Sequence, residues 1–562
     1  MPVSQSFREG FEDTRASTRA NSVTGASGVA RFAIYGALGA VVGLVVATLE
    51  WITVDGLLHW LLADDRSLLV MVLAPGVGLT IAATVLHFGG RTDSSTSDSY
   101  VGAFHKRHEL NPFRLGPKLA AAVATVGGGG ALGMEGPSVY TGAVLGQWLD
   151  NRKLTVLGRR SSQRILLVAG AAAGVSAIFR APATGVLFAL EAPYRRDIAR
   201  HALIPALVSS SVSYLVFVFL LGSERLLPIQ AAEFSITDEV MGSIFLGIVG
   251  GLAARGLAML FHEAKEMPER LQLSVRLPLV AAILGLAVLA ADALVSMPVT
   301  LGPAADQITE IVLDPTVSIG VLLGLFALRA LATSATLAAG GVGGVFLPLV
   351  VQGLLLGRVV GMLFDSQTVG LFPVVGLAAV LGAGYRTPLA AVMFVAETTG
   401  RAEFVIPALL ATAVSQAMMG EYSVSSGQVG ERRGHLEQRL DLPVDRVTIE
   451  NVGYLSPSDG LLEVVDRLGG SPESPAVPVA DTEYRGLLVL HDIAKALHDH
   501  GLDATVGDAM RDIPAIVSGS QAMDAARLMN HNDTAAVAVI DAEGMPIGVV
   551  SALSLTGLRD LD

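Results

Sequence analysis

The chain has 562 residues, of which 52% are hydrophobic and 16% are charged, and its mean hydropathy is +0.57. Soluble domains carry about a quarter charged residues, so this composition indicates a membrane protein. The net charge of −13 argues against nucleic-acid binding. The chain has no cysteine, which excludes disulfides and thiolate metal sites.

The first 28 residues are polar and contain Arg8, Arg15 and Arg19. They lack the apolar core of a secretory signal. Because basic residues are enriched on the cytoplasmic side of membranes, we expect residues 1–28 to form a cytoplasmic tail.

Residues 29–427 consist largely of apolar stretches, several of which reach the roughly 20 residues that a spanning helix needs. Other stretches are shorter or are interrupted by Gly and Pro. We therefore expect an all-α, multi-pass membrane domain in which some helices are tilted, broken or re-entrant.

One pattern occurs twice in this domain. Residues 170–191 read GAAAGVSAIFRAPATGVLFALE, and residues 376–397 read GLAAVLGAGYRTPLAAVMFVAE. Nine of the 22 positions are identical, including an R-x-P triplet and the final glutamate. Duplicated hydrophobic halves with Gly- and Pro-interrupted segments at corresponding places are typical of transporters. We predict an inverted repeat with halves at about 30–225 and about 235–425.

Each half carries a second matching segment upstream of this pattern, GMEGP at 133–137 and GVFLP at 344–348. A proline early in an apolar run marks the first turn of a helix. Each segment is therefore predicted to start a helix inside the membrane, where free N–H groups and the positive dipole end favour an anion. Two halves of opposite topology would direct both helix starts at one point. We predict an anion site built there from partial charges, which hold an ion loosely enough to release it.

Glu135 lies in the first of these segments. A carboxylate at bilayer depth is costly and is by default a candidate functional group. At a helix start it would take the place of an anion, so it would block the site when charged and move away when protonated or displaced. The alternative is a capping glutamate that accepts a hydrogen bond from a backbone N–H.

The composition changes after residue 427. A polar, Gly-rich linker over 428–443 precedes two α/β units, at 444–500 and 501–562, in which β-branched runs alternate with helical stretches. The second unit closely resembles a CBS domain, and the first resembles one more weakly. This resemblance implies either an adenine-nucleotide sensor or a structural, dimer-stabilising module.

The ribose-contacting pattern of CBS domains, G-h-h-T-x-x-D, is incomplete in both units. Asp492 keeps the acid in the first unit, and Ser551 supplies a hydroxyl at the Thr position in the second. Neither unit has both groups, so a bound ribose would lack hydrogen-bond partners. An adenine nucleotide is nevertheless the one cofactor that the chain suggests.

GMEGP, GVFLP and the two R-x-P segments, in this order and on this repeat, resemble the CLC family of chloride channels and transporters, in which a CBS pair is common. The resemblance covers about 30–425 and the CBS region. It implies a homodimer in the cell membrane with one pore per subunit and with cytoplasmic tail and CBS domains. It also implies that Glu135 is the gating glutamate and that the amides of Gly136, Val345 and Phe346 bind the anion.

The loop that supplies a serine hydroxyl to the central anion departs from the family pattern. The family sequence is G-S-G-I-P, whereas residues 94–98 read SSTSD. Ser95 is the ungapped match, while Thr96 and Ser97 are neighbours that can replace it. Asp98 is unexpected so close to an anion unless it points away or caps a helix. The alternative is that the loop is merely solvated.

Two further departures concern proton coupling. The family's exchangers carry an internal glutamate that corresponds to Ala192 here. Glu191 precedes this position and is either structural or a substitute proton donor. Ser425 aligns with a tyrosine whose hydroxyl contacts the central anion, although Tyr422 lies three residues earlier. These losses are expected to loosen any coupling between anion and proton.

The expected function is transmembrane chloride transport gated by Glu135, with passive, channel-like conduction favoured over proton-coupled exchange. A fluoride-selective variant remains open.

A CBS-regulated magnesium transporter would need several carboxylates facing one cavity, and the acids of the apolar region are few and scattered. An intramembrane zinc protease would need an H-E-x-x-H helix, which the chain lacks. We therefore predict no enzymatic activity and no metal site.

Overall fold

The computed structural model describes residues 28–63, 65–105, 107–152, 164–223, 227, 229, 236–364, 369–431, 435–450, 452–468 and 476–556. Apart from residue 28, the predicted N-terminal tail lies outside these residues, as does part of the linker. The chain forms two compact units, Met1–Glu431 and Arg432–Asp562. The first is helical and the second is α/β, so the predicted fold class is confirmed.

The membrane unit contains two series of helices that correspond in order. In the described residues, the first series is α1 Gly28–Leu61, α2 Leu68–Phe88, α3 Ser97–Phe104, α4 Leu115–Gly127, α5 Glu135–Asn151, α6 Ile165–Phe179, α7 Pro182–Glu191 and α8 Leu203–Leu221. The second series is α9 Ile236–Arg270, α10 Leu273–Val295, α11 Ala305–Leu313, α12 Ile319–Ala338, α13 Phe346–Leu363, α14 Leu371–Tyr385, α15 Pro388–Thr399 and α16 Val405–Met419.

Eight helices in the described residues are long and apolar enough to cross a membrane. Four others, among them α6 and α7, have 10 to 17 residues and are apolar but short. This mixture of full-length and short helices agrees with the expectation of broken and re-entrant segments.

Glycines allow equivalent helices of the two halves to pack closely. A Cβ atom on Gly43 of α1 would lie 2.6 Å from the carbonyl oxygen of Ser213 on α8. A Cβ atom on Gly251 of α9 would lie 2.6 Å from the carbonyl oxygen of Ser415 on α16. A side chain at either glycine would force the helices apart, so the same backbone contact occurs once in each half.

The R-x-P triplets break each half at the same place. Helices α6 and α14 end before Arg180 and Arg386, whose positive φ angles of 54° and 61° turn the chain out of the helix. Pro182 and Pro388 then occupy the first positions of α7 and α15. The sequence pattern therefore produces a helix–turn–helix break in each half, because proline cannot continue a helix but suits its first turn.

Short helices α7 and α15 run antiparallel, and each is capped by the other. Glu191 at the end of α7 accepts hydrogen bonds from the N–H groups of Leu389 and Ala390, at 3.1 and 2.8 Å. Glu397 on α15 accepts in return from two N–H groups in the first turn of α7, at 2.9 and 2.7 Å. This reciprocal exchange shows that the two halves have opposite orientations.

The C-terminal unit contains two small sheets in its described residues. Strands β1 Ile449–Glu450, β4 Ile516–Val517, β5 Ala536–Ile540 and β6 Pro546–Ser551 form one sheet in the order β1-β6-β5-β4, while β2 Ala476–Ala480 pairs with β3 Tyr484–Val489. The helices are α17 His435–Leu440, α18 Leu461–Leu468, α19 Ile493–His500, α20 Val506–Ala509, α21 Ala522–His531 and α22 Ala552–Thr556. The four-stranded sheet packs in one hydrophobic core, which Ala476 and Leu487 of the other sheet also join. The opposite face of the two-stranded sheet packs in a second core through Val477, Val479 and Leu488.

The reciprocal caps predict matched losses of stability. Glu191→Ala and Glu397→Ala each leave two N–H groups of a partly buried helix start without an acceptor, so each should cost about 1–2 kcal/mol. Thermal unfolding of the detergent-solubilised protein measures this. The control is Glu421→Ala, whose exposed carboxylate pairs with Arg195 and Arg196 and should contribute little. An unchanged stability in Glu191→Ala would refute its capping role.

Candidate anion pathway

The two predicted helix starts meet inside the membrane unit. Helix α5 begins at Glu135 and helix α13 begins at Phe346. The loops that precede them pair antiparallel, because Gly133 and Gly344 exchange N–H···O hydrogen bonds of 3.0 and 2.8 Å. The positive ends of two helix dipoles are thereby brought close to one point, which favours negative charge.

The Glu135 carboxylate occupies this point. Its Oε1 accepts a hydrogen bond of 2.6 Å from the N–H of Phe346, the first residue of α13. The residue is 2% exposed, and Oε2 has no hydrogen-bond partner among the described residues. The carboxylate therefore caps a helix of the opposite half, in the position where a transported anion would bind.

The two paired glycines leave room for this carboxylate. A Cβ atom on Gly133 or Gly344 would clash with the Glu135 side chain. Gly136, a predicted anion ligand, is similarly confined between Thr96 and Gly343. Backbone amides can approach an ion at these places because no side chain intervenes.

Three of the hydroxyls of the SSTSD loop, those of Ser95, Thr96 and Ser97, are the predicted candidates and have different surroundings. Thr96 donates its hydroxyl to the carbonyl oxygen of Gly343 at 3.1 Å. The Ser95 hydroxyl accepts a hydrogen bond from Ser99, also at 3.1 Å. The Ser97 hydroxyl oxygen is buried and makes no well-formed hydrogen bond among the described residues. Ser97 is therefore the hydroxyl of this loop that is best placed to bind an ion.

Tyr385, the last residue of α14, is a site residue that the sequence reasoning missed. It is buried, and its ring lies near those of Phe188 and Phe346, with centroid distances of 5.3 and 6.1 Å. Its hydroxyl lies close to the Ser97 hydroxyl and the Val345 amide. The available signal was a tyrosine directly before the R-x-P triplet of the second repeat, where the first repeat has a phenylalanine.

A cavity of about 410 Å³, which we call the Ser97 cavity, adjoins these groups. Its walls include Ser97, Tyr385, Val345, Asp98 and Lys265. It reaches Gly344 and so ends beside the Glu135 carboxylate. The cavity thus leads from polar side chains to the two helix starts.

Ser425 and Asp98, both singled out in the sequence, contact each other. The Ser425 hydroxyl donates to Asp98 Oδ1 at 3.0 Å, and the N–H of Ser426 donates to the same oxygen at 2.8 Å. Lys265 donates to Asp98 Oδ2 at 2.7 Å. The charge of Asp98 is thereby paired, and the Ser425 hydroxyl is engaged by Asp98. Tyr422 is exposed, with Arg255 stacked over its ring.

Neither of the two positions expected to serve proton coupling, 191 and 192, has a carboxylate that is free to accept a proton. Ala192 is buried, and its carbonyl oxygen accepts a hydrogen bond of 2.7 Å from Gln428. Glu191 is the cap of α15 described above, with both oxygens engaged. Position 192 therefore has no proton acceptor in its side chain, and the carboxylate at position 191 is engaged in a structural contact.

A second cavity of about 620 Å³, which we call the Glu50 cavity, also lies next to the two helix starts and has different walls from the Ser97 cavity. It reaches Met134 and Leu347, the neighbours of Glu135 and Phe346. Three acids line it, namely Glu50, Asp55 and Asp306. No group of acids and histidines suited to a metal ion occurs in the described residues.

The C-terminal residues predicted to contact a nucleotide both have partners within the chain. Arg511 forms two hydrogen bonds to Asp492, at 2.5 and 2.8 Å, and this contact holds the pKa of Asp492 below its usual value. Ser551 is buried, and its hydroxyl accepts from the N–H of Ser554 at 3.1 Å. A cavity of about 890 Å³ beside Arg511 has room for a small molecule. Nucleotide binding stays a prediction.

The inverted helical repeat and the buried carboxylate between two helix starts define an anion-transporting membrane protein. Residues 77–420 match the family described as voltage gated chloride channel, and residues 506–558 match the CBS domain. The chain therefore belongs to the CLC family of chloride channels and transporters, with a C-terminal CBS region.

Relatives of known name are transporters rather than enzymes. The H(+)/Cl(-) exchange transporter ClcA of Yersinia pseudotuberculosis serotype IB is 26% identical over 417 residues, which cover 68% of this chain and 85% of the relative. The protein of the same name from Salmonella paratyphi A is 27% identical over 414 residues, covering 69% and 85%.

Solved structures share the fold. A slow cyanobacterial Cl-/H+ antiporter superposes with a TM-score of 0.61 at 21% identity, covering 69% of this chain and 94% of its own. A CLC-type fluoride/proton antiporter gives 0.59 at 22% identity, with coverage of 71% and 98%. A eukaryotic CLC transporter also gives 0.59, at 17% identity, and covers 93% of this chain and 98% of its own.

The position of Glu135 predicts the effect of removing its charge. Protonation of the carboxylate removes its attraction to the start of α13, so anion flux in the parent should rise as pH falls. Glu135→Gln cannot titrate, and its flux should be altered and independent of pH. Chloride efflux from liposomes over a series of pH values measures this. The control is Glu421→Gln, and a pH response in Glu135→Gln equal to that of the parent would exclude the gate.

Proposed function

We propose that this protein exchanges chloride for protons across the membrane and that Glu135 takes part in both movements. The observation that carries the proposal is the Glu135 carboxylate at the start of α13. One of its oxygens accepts a hydrogen bond from the Phe346 amide, and the other has no partner in the part of the chain that the structure describes. A carboxylate in this position competes with the anion and also accepts a proton. The names of the relatives support exchange over the passive conduction that the sequence alone favours.

The proposed anion site lies between the Ser97 cavity and Glu135. The hydroxyls of Ser97 and Tyr385 supply two donors, and the amides of Val345, Phe346 and Gly136 supply the remainder. These groups carry partial charges, so an anion is held without a full counter-charge and leaves readily. When Glu135 is protonated, its hold on the Phe346 amide weakens and a chloride ion takes its place.

The proton route in this proposal uses the Ser97 cavity. Ala192 offers no titratable group, and both Glu191 oxygens accept from helix amides. A polar cavity of this size accommodates several water molecules, and the Tyr385 hydroxyl lies between it and the gate. Water and hydroxyl groups would then pass the proton to Glu135 in place of an internal glutamate.

The proposal includes a homodimer in the cell membrane with one anion pathway per subunit. The N-terminal tail and the C-terminal unit are proposed to be cytoplasmic. This arrangement rests on the family resemblance and on the basic residues of the tail and of the 195–200 segment. A single measurement, of chloride and proton movement together, distinguishes exchange at a fixed ratio from passive conduction.

That measurement is chloride efflux from liposomes with a pH electrode outside, while potassium and valinomycin clamp the voltage. Exchange requires the external pH to change in a fixed ratio to the chloride that leaves. Chloride efflux with constant pH would instead establish passive conduction. Replacing chloride by fluoride in the same assay tests whether the altered serine loop has changed the preferred anion.

The proposed ligands predict a loss of chloride affinity. Ser97→Ala and Tyr385→Phe each remove one hydrogen bond to an anion, worth about 1.5–3 kcal/mol, so each should raise the chloride Kd roughly 10- to 100-fold. Calorimetric titration with chloride measures the change. Ser99→Ala, which removes a hydroxyl bonded to Ser95 in the same loop, and Tyr422→Phe are the controls. Equal effects in the controls would exclude a specific ligand role.

A further inference from the structure

A further cavity of about 570 Å³, which we call the Arg276 cavity, has walls from the end of α2, the segment that joins α9 to α10, and the residues after α12. Basic side chains outnumber acidic ones on these walls. The six ionisable residues are His87, Arg91, Arg270, Arg276, Asp93 and Glu269. An excess of basic groups favours a negatively charged ligand.

Five of these six side chains have a partner of opposite charge or are exposed. Asp93 accepts a hydrogen bond of 3.1 Å from Lys118. Arg270 donates to Glu263 at 2.9 Å and also contacts Glu266. The exposed side chains are His87, Arg91 and Glu269. The sixth side chain, that of Arg276, differs in both respects.

Arg276, in the first turn of α10, is buried at the wall of the cavity. It is 8% exposed, and its Nε atom has no hydrogen-bond partner among the described residues. Its Nη2 atom lies 3.7 Å from the point that a Cβ atom on Gly340, another wall residue, would occupy. A buried guanidinium group without a negative partner is costly, so a negatively charged ligand in the cavity would stabilise the folded protein.

The start of α10 is a second and independent feature of the same cavity. Leu271, Gln272 and Leu273 line it. No side chain of the described residues caps this helix of 23 residues. The first N–H groups of a helix have no partner within the helix, and the positive end of its dipole favours an anion. The uncapped helix start and the Arg276 guanidinium therefore favour the same kind of ligand.

Apolar side chains beside the cavity indicate that the ligand is a lipid. Phe88 at the end of α2 is 82% exposed, and Leu273, Val275 and Leu279 of α10 are exposed as well. Both helices are long and apolar enough to cross a membrane. A free phosphate ion would use the cavity alone, whereas a phospholipid would use the cavity for its headgroup and the exposed apolar side chains for its acyl chains. Basic pockets between helices at the membrane surface are a known way of binding anionic lipids.

We propose that the Arg276 cavity binds the phosphate group of an anionic phospholipid, with the Arg276 guanidinium as its principal ligand. The planar guanidinium group donates two parallel hydrogen bonds to a phosphate, and the start of α10 supplies further N–H donors. Arg91 adds an exposed positive charge. Neither arginine lines the Ser97 cavity, so this lipid site is separate from the proposed anion site and does not rest on the proposed exchange.

The first test is thermal unfolding of the delipidated, full-length protein in detergent. Dioleoyl-phosphatidylglycerol should raise the unfolding temperature, because a ligand that binds only the folded state stabilises it. Dioleoyl-phosphatidylcholine, whose phosphate is neutralised by choline, should have a much smaller effect. Equal stabilisation by the two lipids would exclude a site for an anionic headgroup. Equal stabilisation by inorganic phosphate at the same concentration would identify a free-phosphate site and overturn the lipid proposal.

The second test is the phosphatidylglycerol Kd of variants, measured by native mass spectrometry. Arg276→Gln should raise the Kd about tenfold, the factor that corresponds to about 1.4 kcal/mol. The matched control is Arg358→Gln, because Arg358 of α13 is also buried with an unpartnered Nε among the described residues but does not line this cavity. Its Kd should stay within twofold of the parent. Arg91→Gln changes an exposed residue, so it should fold normally and raise the Kd about two- to fivefold. An equal Kd in Arg276→Gln and Arg358→Gln would overturn the proposal.

Stability without lipid separates a ligand role of Arg276 from a structural one. Arg276→Gln removes a buried charge without a partner, so in lipid-free detergent it should unfold at the temperature of the parent or above it, and phosphatidylglycerol should then stabilise it less. An equally lowered unfolding temperature with and without the lipid would show that Arg276 is structural only. These measurements involve no transport, so their outcome and that of the liposome assay are independent.

Discussion

The hydrogen bonds between Gly133 and Gly344 are the contact on which the rest of the membrane unit depends. They fix the starts of α5 and α13 beside each other, at the point where the two inverted halves meet. A side chain on either glycine would displace the Glu135 carboxylate. The contact therefore sets the positions of the helix dipoles, the backbone amides and the Glu135 carboxylate together, because all of them are attached to the same two backbone segments.

Carboxylates of the chain fill several places that suit an anion. Glu135 lies at the start of α13, Glu191 at the start of α15 and Glu397 at the start of α7. Unpaired N–H groups at a helix start in a water-poor environment are costly, so each start needs a negative or polar partner. Glu191 and Glu397 have both oxygens bonded, which fits permanent caps. Glu135 has one oxygen without a hydrogen-bond partner among the described residues, which distinguishes it from the two permanent caps and supports the proposed gate role.

Because of the inverted repeat, residues at equivalent positions of the two halves line two different cavities. Tyr385 and Phe179 end equivalent helices and line the Ser97 and Glu50 cavities, respectively. Buried cations also recur on equivalent helices. Lys118 of α4 holds the loop before α3, and Arg329 of α12 donates to carbonyl oxygens of the loop before α11. Acids line both cavities, but serine, threonine and tyrosine hydroxyls line the Ser97 cavity, and none among the described residues lines the Glu50 cavity.

The sequence by itself determined the repeat, the breaks at the R-x-P triplets, the helix starts at GMEGP and GVFLP, and the family. These features follow from local rules, since glycine, proline and apolar spacing act within a few residues. Only the tertiary structure decided which hydroxyls lie together near the two helix starts. Tyr385 is brought to Ser97 by packing of the two halves, and Asp98 meets Lys265 and Ser425 across 167 and 327 residues of chain. Contacts between segments so far apart depend on how whole helices pack, and local sequence pattern does not encode that packing.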